Sequence, residues 1–210
     1  MRTLTLFLSL AVAIPAMAAP PKVVTTTEDL AALVREVAGD KVVVDAIAKG
    51  YQDPHFVEAK PSFILKLHDA DLLVVIGREL ELGWLPPLLT QSRNAKIQVG
   101  AAGYLDASAG VRILEIPTGQ ITRAMGDVHP AGNPHYWLDP GNGLPIAQAI
   151  RDKLSQLSPG DKAAIERALA EHLLLYFDDQ PIDDRAHRDF AAQFGELDAF
   201  PLAYEGEDRS

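Results

Sequence analysis

Between residues 22 and 47 the chain reads as strand, helix and strand with almost nothing between them. Lys22-Val23-Val24-Thr25-Thr26-Thr27 is a β-branched run suited to a strand. Thr27 stands where a helix cap belongs, Glu28 and Asp29 are first-turn acids, and Leu30, Leu33, Val34 and Val37 recur at helical spacing. Gly39-Asp40 ends that helix, and residues 41–47 read as a second strand. Strands joined through a helix rather than a tight turn pair in parallel. A parallel sheet in turn needs helices over both faces. This order therefore narrows the architecture before any function is considered.

The alternation continues downstream. Ser62 is read as the N-cap of a helix over residues 63–69, followed by a buried strand, Asp71-Leu72-Leu73-Val74-Val75-Ile76-Gly77. A helix is expected over 80–89 around Trp84, interrupted at Pro86-Pro87, and a fourth strand at Lys96-Ile97-Gln98-Val99. From Gly143, the residues Leu144, Ile146, Ala147, Ile150 and Leu154 repeat at helical spacing. Ser158-Pro159-Gly160-Asp161 breaks that pattern, which resumes over 163–175. The class is α/β with a mostly parallel sheet. Ligands of such sheets sit at the carboxyl ends of the strands, where the loops at 49–62 and 126–142 are expected.

Of the 210 residues 48% are hydrophobic, enough for a packed core, and the formal net charge of -10 argues against nucleic-acid binding. The first residues have the form of a secretory signal: Arg2, then an apolar run from Leu4 to Ile14, then Ala16-Met17-Ala18. The run is shorter than the ~20 residues needed to cross a bilayer. Export into the periplasm with a mature chain from Ala19 is therefore expected. The chain has no cysteine. Packing alone must hold the fold, a metal site must use His, Asp or Glu, and lipid attachment at a cysteine is excluded.

Two of the six histidines share an unusual context. His55 lies in Asp-Pro-His-Phe and His135 in Asn-Pro-His-Tyr-Trp, so a proline stiffens the chain before each and an aromatic follows. Each alone reads as an ordinary loop residue, but two matched loops suit a preorganised metal site. Neutral imidazole is a good donor to zinc and to other divalent transition metals. His129 is an additional ligand, a hydrogen-bonding neighbour or a solvent-facing residue, the last being favoured. His68 reads as solvent-facing, and His172 and His187 lack a supporting motif. Asp139 either caps the following helix or bonds a ligating imidazole, with capping favoured. Tyr136 and Trp137 serve as packing anchors or, less simply, as a carbohydrate platform. The zinc-protease helix, the serine-hydrolase elbow and the glycine-rich phosphate loop are absent from the sequence.

Taken together, KVVTTTEDLAALVREVAGDKVVV, DPHFVEAKPS, LLVVIGRELELGWLP and GNPHYWLDP resemble one family. It is the zinc/manganese-binding periplasmic solute-binding component of bacterial metal ABC transporters. The resemblance implies a binding protein rather than an enzyme, which captures zinc, or less readily manganese, and delivers it to an inner-membrane ABC permease. It implies His55 and His135 as metal ligands, with Glu58 and Ser62 as structural hydrogen-bonding residues. The implied organisation is a signal peptide at 1–18, an N-terminal βα metal-binding lobe at 19–141 and a long linking helix at 142–175 bending near Pro159. A divergent or disordered tail at 176–210 stands where the family has a second lobe, which is read as truncated. That lobe normally supplies the remaining ligands. Asp183, Asp184 and His187 are weak substitutes. The alternative is a truncated or degenerate paralogue acting as a metal buffer or interaction module without transport. A zinc hydrolase with Glu58 as base is the remote third reading.

Overall fold

The computed structural model describes residues 19–119 and 129–171. Within them β1 (Lys22–Thr25), β2 (Val43–Ala46), β3 (Leu72–Val75) and β4 (Tyr104–Asp106) form one parallel sheet in the order β2-β1-β3-β4. The helices are α1 (Glu28–Ala38), α2 (Pro61–Asp69), α3 (Leu85–Ser92), α4 (Gly143–Leu157) and α5 (Lys162–Glu171). The α/β class and the parallel sheet read from the sequence are the observed ones.

Strand periodicity explains why the sheet is covered on both sides. Successive side chains point to opposite faces, so Leu72 and Val74 enter one core with Leu30, Val34, Ile146 and Ile150. Leu73 and Val75 enter the other with Leu67, Leu85 and Leu88. All four β3 residues are buried, as a central strand between two helical layers requires. Thr27 caps α1 as expected, its side chain accepting from the Leu30 N–H. Gly39 ends the helix with φ of +54°.

Three local expectations are corrected. Lys96-Ile97-Gln98-Val99 is not a strand: a 3-10 turn spans Ala95–Ile97, and Tyr104–Asp106 takes the place beside β3. The Asn94 side chain accepts from the Lys96 N–H and donates to the Leu67 and Ala70 carbonyls, which fixes the turn. Ile97 is buried whereas Val99 is exposed, so the apparent alternation does not define one buried face. Pro86 and Pro87 do not interrupt a helix that began at 80; they lie in the first turn of α3, where missing N–H groups cost nothing. Ser62 is not a cap either, because α2 begins at Pro61 after Lys60.

Over the segment read as a linking helix, the described part is α4 and α5, with a 3-10 turn at Pro159–Asp161 where the sequence places a bend. Both helices contact α1 and each other. The signal segment, the tail and His172, His187, Asp183 and Asp184 lie outside the described residues. Among the described residues no helix is long and apolar enough to cross a membrane.

In this strand order the chain passes from β1 to β2 on one side and returns to β3 on the other. Between the carboxyl ends of β1 and β3 the connections therefore diverge, the place where open α/β sheets leave a crevice. The loop after β2 carries His55, and the chain between β4 and α4 carries His129 and His135.

Candidate metal centre

Each histidine loop is fastened to the end of β3 or the turn after it. The Trp84 indole N–H donates to the Pro54 carbonyl at 2.9 Å, tying down the residue before His55. Tyr136 donates its hydroxyl to the Ile76 carbonyl at 2.6 Å, tying down the residue after His135. Tyr136 is buried and Trp137 partly buried, so both are the anchors expected of them. Phe56 is not: it is 78% exposed, and its neighbour Val57 is buried instead.

A single backbone device is used twice. The Asp53 carboxylate accepts from the backbone N–H of His55 at 2.9 Å and lies 2.8 Å from its ring Nδ1. The Asn133 side-chain oxygen does the same for His135, at 2.9 and 2.8 Å. The His55 backbone N–H holds the Asp53 carboxyl below its usual range. Ionised Asp53 can only accept, so His55 Nδ1 carries the proton and Nε2 keeps its lone pair. Asn133 donates its NH2 to Glu115 at 2.8 Å, which turns its oxygen toward His135 and selects the same tautomer. Partners of this kind fix the tautomer and aim of a ligating imidazole.

The two rings meet. Their centroids lie 5.1 Å apart, and His129 joins them with its Nε2 3.2 Å from that of His55. His129 is thus half-buried among the other two rings rather than turned to solvent. Burial, followed by the neighbouring His55 and His129, pushes the His135 pKa below its ordinary value of 6.5. Its lone pair is therefore protonated less readily than that of an ordinary imidazole. Among the described residues no three His, Asp or Glu side chains already surround one point.

The remaining candidates separate cleanly. Asp139 caps the turn before α4 by accepting from the Gly141 N–H, as favoured. His68 is exposed but bonds the Ser92 carbonyl through Nδ1. Glu58 and Ser62 are exposed. Asp53 and Asn133 are marked in the sequence only by the repeated Asx-Pro-His. Removing either partner by Asp53→Ala or Asn133→Ala should weaken any metal binding at these two histidines about 10- to 100-fold without unfolding the chain; competition with a chelator measures it.

Glu81, which carries no motif in the sequence, sits at the turn after β3. Its carboxylate accepts from Thr26 Oγ1 at 2.7 Å and from the backbone N–H groups of Ile76 and Gly77 at 2.7 and 3.0 Å. It is 4% exposed, and burial raises its pKa. Gly77, Arg78 and Glu79 all have positive φ as the chain wraps this carboxylate. Glycine suits position 77 because its φ is +78°, and a Cβ there would also meet the Asp106 carboxylate. The clamp joins the ends of β1 and β3 and so braces the floor on which both histidine loops stand.

Comparison with known proteins shows the family and the fold. Residues 23–174 match the family described as zinc-uptake complex component A, periplasmic. The manganese ABC transporter substrate-binding lipoprotein PsaA of Streptococcus pneumoniae is 31% identical over 154 residues, covering 72% of this chain and 46% of that protein. The metal ABC transporter substrate-binding lipoprotein FimA of Streptococcus parasanguinis is 33% identical over the same length and shares. Among solved structures, the Zn(II)-bound ZnuA-like domain of Streptococcus pneumoniae AdcA superposes with a TM-score of 0.57 at 26% identity, covering 74% of this chain and 51% of that one. The Mn-bound periplasmic metal binding protein from candidatus liberibacter asiaticus shares the fold, with a TM-score of 0.58 at 20% identity over 72% of this chain and 51% of that one. The chain spans about half the length of the curated relatives it matches.

Proposed function

The chain belongs to the family of the periplasmic component A of zinc-uptake complexes, and on that premise we propose that it captures zinc outside the cytoplasmic membrane for an ABC permease. It is a binding component and not an enzyme, exported by its N-terminal signal. His55 and His135 are its metal ligands. The observation that carries this reading is the doubled Asx-Pro-His device, which holds each ring by its Nδ1 with the two ring centroids 5.1 Å apart.

Zinc is preferred over manganese on the chemistry of the donors. Manganese favours oxygen-rich, six-coordinate shells, whereas imidazole suits zinc, and zinc also stands above manganese in intrinsic affinity for nitrogen donors. Titration of the mature chain with each ion should show zinc binding at least about tenfold tighter. Equal affinities would overturn the choice of metal. Restored growth at low zinc, when the chain is supplied to cells lacking their own zinc-binding component, tests delivery to the permease.

Protons compete with the metal for the same lone pairs. Zinc affinity should be level above the histidine range and then fall as the pH drops through it, by about tenfold per unit for each imidazole that must first lose a proton. The lowered value of His135 moves its share of that loss to pH below 6.5. Titrations between pH 8 and pH 5 measure the profile.

A further inference from the structure

We infer that His129 is a third zinc ligand, so that one lobe supplies a three-histidine site. This rests on the reading of His55 and His135 as ligands and adds a donor beyond them. The separations of the rings fit a shared ion. Two nitrogens bound to one tetrahedral zinc at 2.0–2.1 Å lie about 3.3 Å apart, and the Nε2 atoms of His55 and His129 are 3.2 Å apart. Imidazoles held through Nε2 on such an ion have ring centroids about 5.2 Å apart, allowing a further ~1.1 Å from nitrogen to ring centre. The observed centroid separations are 5.3 Å for His55–His129 and 5.1 Å for His55–His135. The third, His129–His135, is 6.3 Å. Only that last pair must draw together by about 1 Å for three donors to converge on one ion.

The local chain explains how His129 reaches this place. Its carbonyl accepts from the Gly132 N–H at 3.0 Å, closing a turn over residues 129–132, and the next N–H, of Asn133, donates to the Leu114 carbonyl. Gly132 has a φ of +92° and lies against Ile113 and Ile116, where a side chain would collide. The turn therefore places His129 at a fixed offset from Asn133, the residue that aims His135. With Asp53 holding the proton of His55 on Nδ1, the contact between His55 and His129 is one in which His129 Nε2–H donates. Zinc would take the place of that hydrogen between the two nitrogens, the His129 proton moving to its Nδ1 so that Nε2 is free to bind the ion. A three-histidine set leaves one tetrahedral position, the arrangement in which zinc keeps a water or accepts a fourth donor.

The test uses the mature chain labelled with 15N, titrated with zinc alone, beside His129→Ala, His55→Ala and His135→Ala. Long-range proton–nitrogen spectra of the imidazoles should show the Nε2 of all three rings moving to metal-bound positions on adding one equivalent. His129→Ala should bind zinc at least about tenfold more weakly by chelator competition. Unchanged affinity in His129→Ala, or a His129 Nε2 that stays unligated in the loaded chain, would overturn the inference while His55 and His135 still stood as ligands. If instead none of the three variants changed binding, the reading of the site itself would fall. Circular dichroism and thermal melting confirm that each variant is folded.

Discussion

Replacing His55 or His135 with alanine should weaken zinc binding by at least about 100-fold, more than the loss of any residue that only aims a ligand. Each ring supplies a nitrogen whose lone pair is held ready by a neighbouring side chain. The substitution should leave the fold intact. Asp53 would still accept from the backbone N–H of residue 55, and Trp84 would still hold the Pro54 carbonyl. Tyr136 likewise keeps its bond to Ile76 when the ring of residue 135 is removed. Chelator competition for zinc, with thermal melting as the control, separates lost ligation from lost structure. A large fall in affinity at an unchanged melting temperature is expected.

Glu81→Ala should instead destabilise the chain by about 1–3 kcal/mol for each buried donor left without its partner, a large share of the roughly 5–15 kcal/mol typical of a domain. The carboxylate accepts three hydrogen bonds, from Thr26, Ile76 and Gly77, and alanine would leave these donors facing a small apolar void. Denaturant unfolding measures the loss. Protonation provides a second, independent signature. Burial raises the folded pKa of Glu81 above its ordinary value of 4.5. Between the two values the folded chain keeps a proton that the unfolded chain has released. Stability from this group is therefore greatest below pH 4.5, falls as the pH rises through that window, and is level above the folded value. Glu81→Gln cannot titrate, so the difference in stability between it and the unaltered chain should show that slope.

How much of this was readable from the sequence depends on where each residue gets its instructions. The first strand and helix carry their own, in the β-branched run, the Thr27 cap and the apolar spacing of Leu30, Val34 and Val37. The strand at 72–75 is marked by an unbroken apolar run, which only a doubly covered sheet accommodates. The fourth strand is set by a partner instead. Tyr104–Asp106 is short, and its identity comes from pairing with β3 and from the Asn94-held turn that removes Lys96–Val99 from the sheet.

The site divides in the same way. His55 and His135 were legible because their prolines and aromatics recur in order. Their aiming partners, Asp53 and Asn133, share a position two residues upstream and differ only in charge, so the repeat was visible but its meaning lay in the fold. His129 was misjudged because its neighbours in sequence say nothing of His55, which is 74 residues away. Glu81 leaves no local mark at all. Its surroundings depend on positive φ at Arg78 and Glu79, residue types that give no warning of it.

The central claim is that the doubled Asx-Pro-His device holds a metal ion at the carboxyl edge of the sheet. A crystal of the zinc-loaded chain, with anomalous scattering recorded at the zinc edge, tests it most directly. A single strong peak about 2.0–2.1 Å from the Nε2 atoms of both His55 and His135 is the expected result. Zinc bound elsewhere on the chain, with neither of those nitrogens in contact with it, would contradict the account.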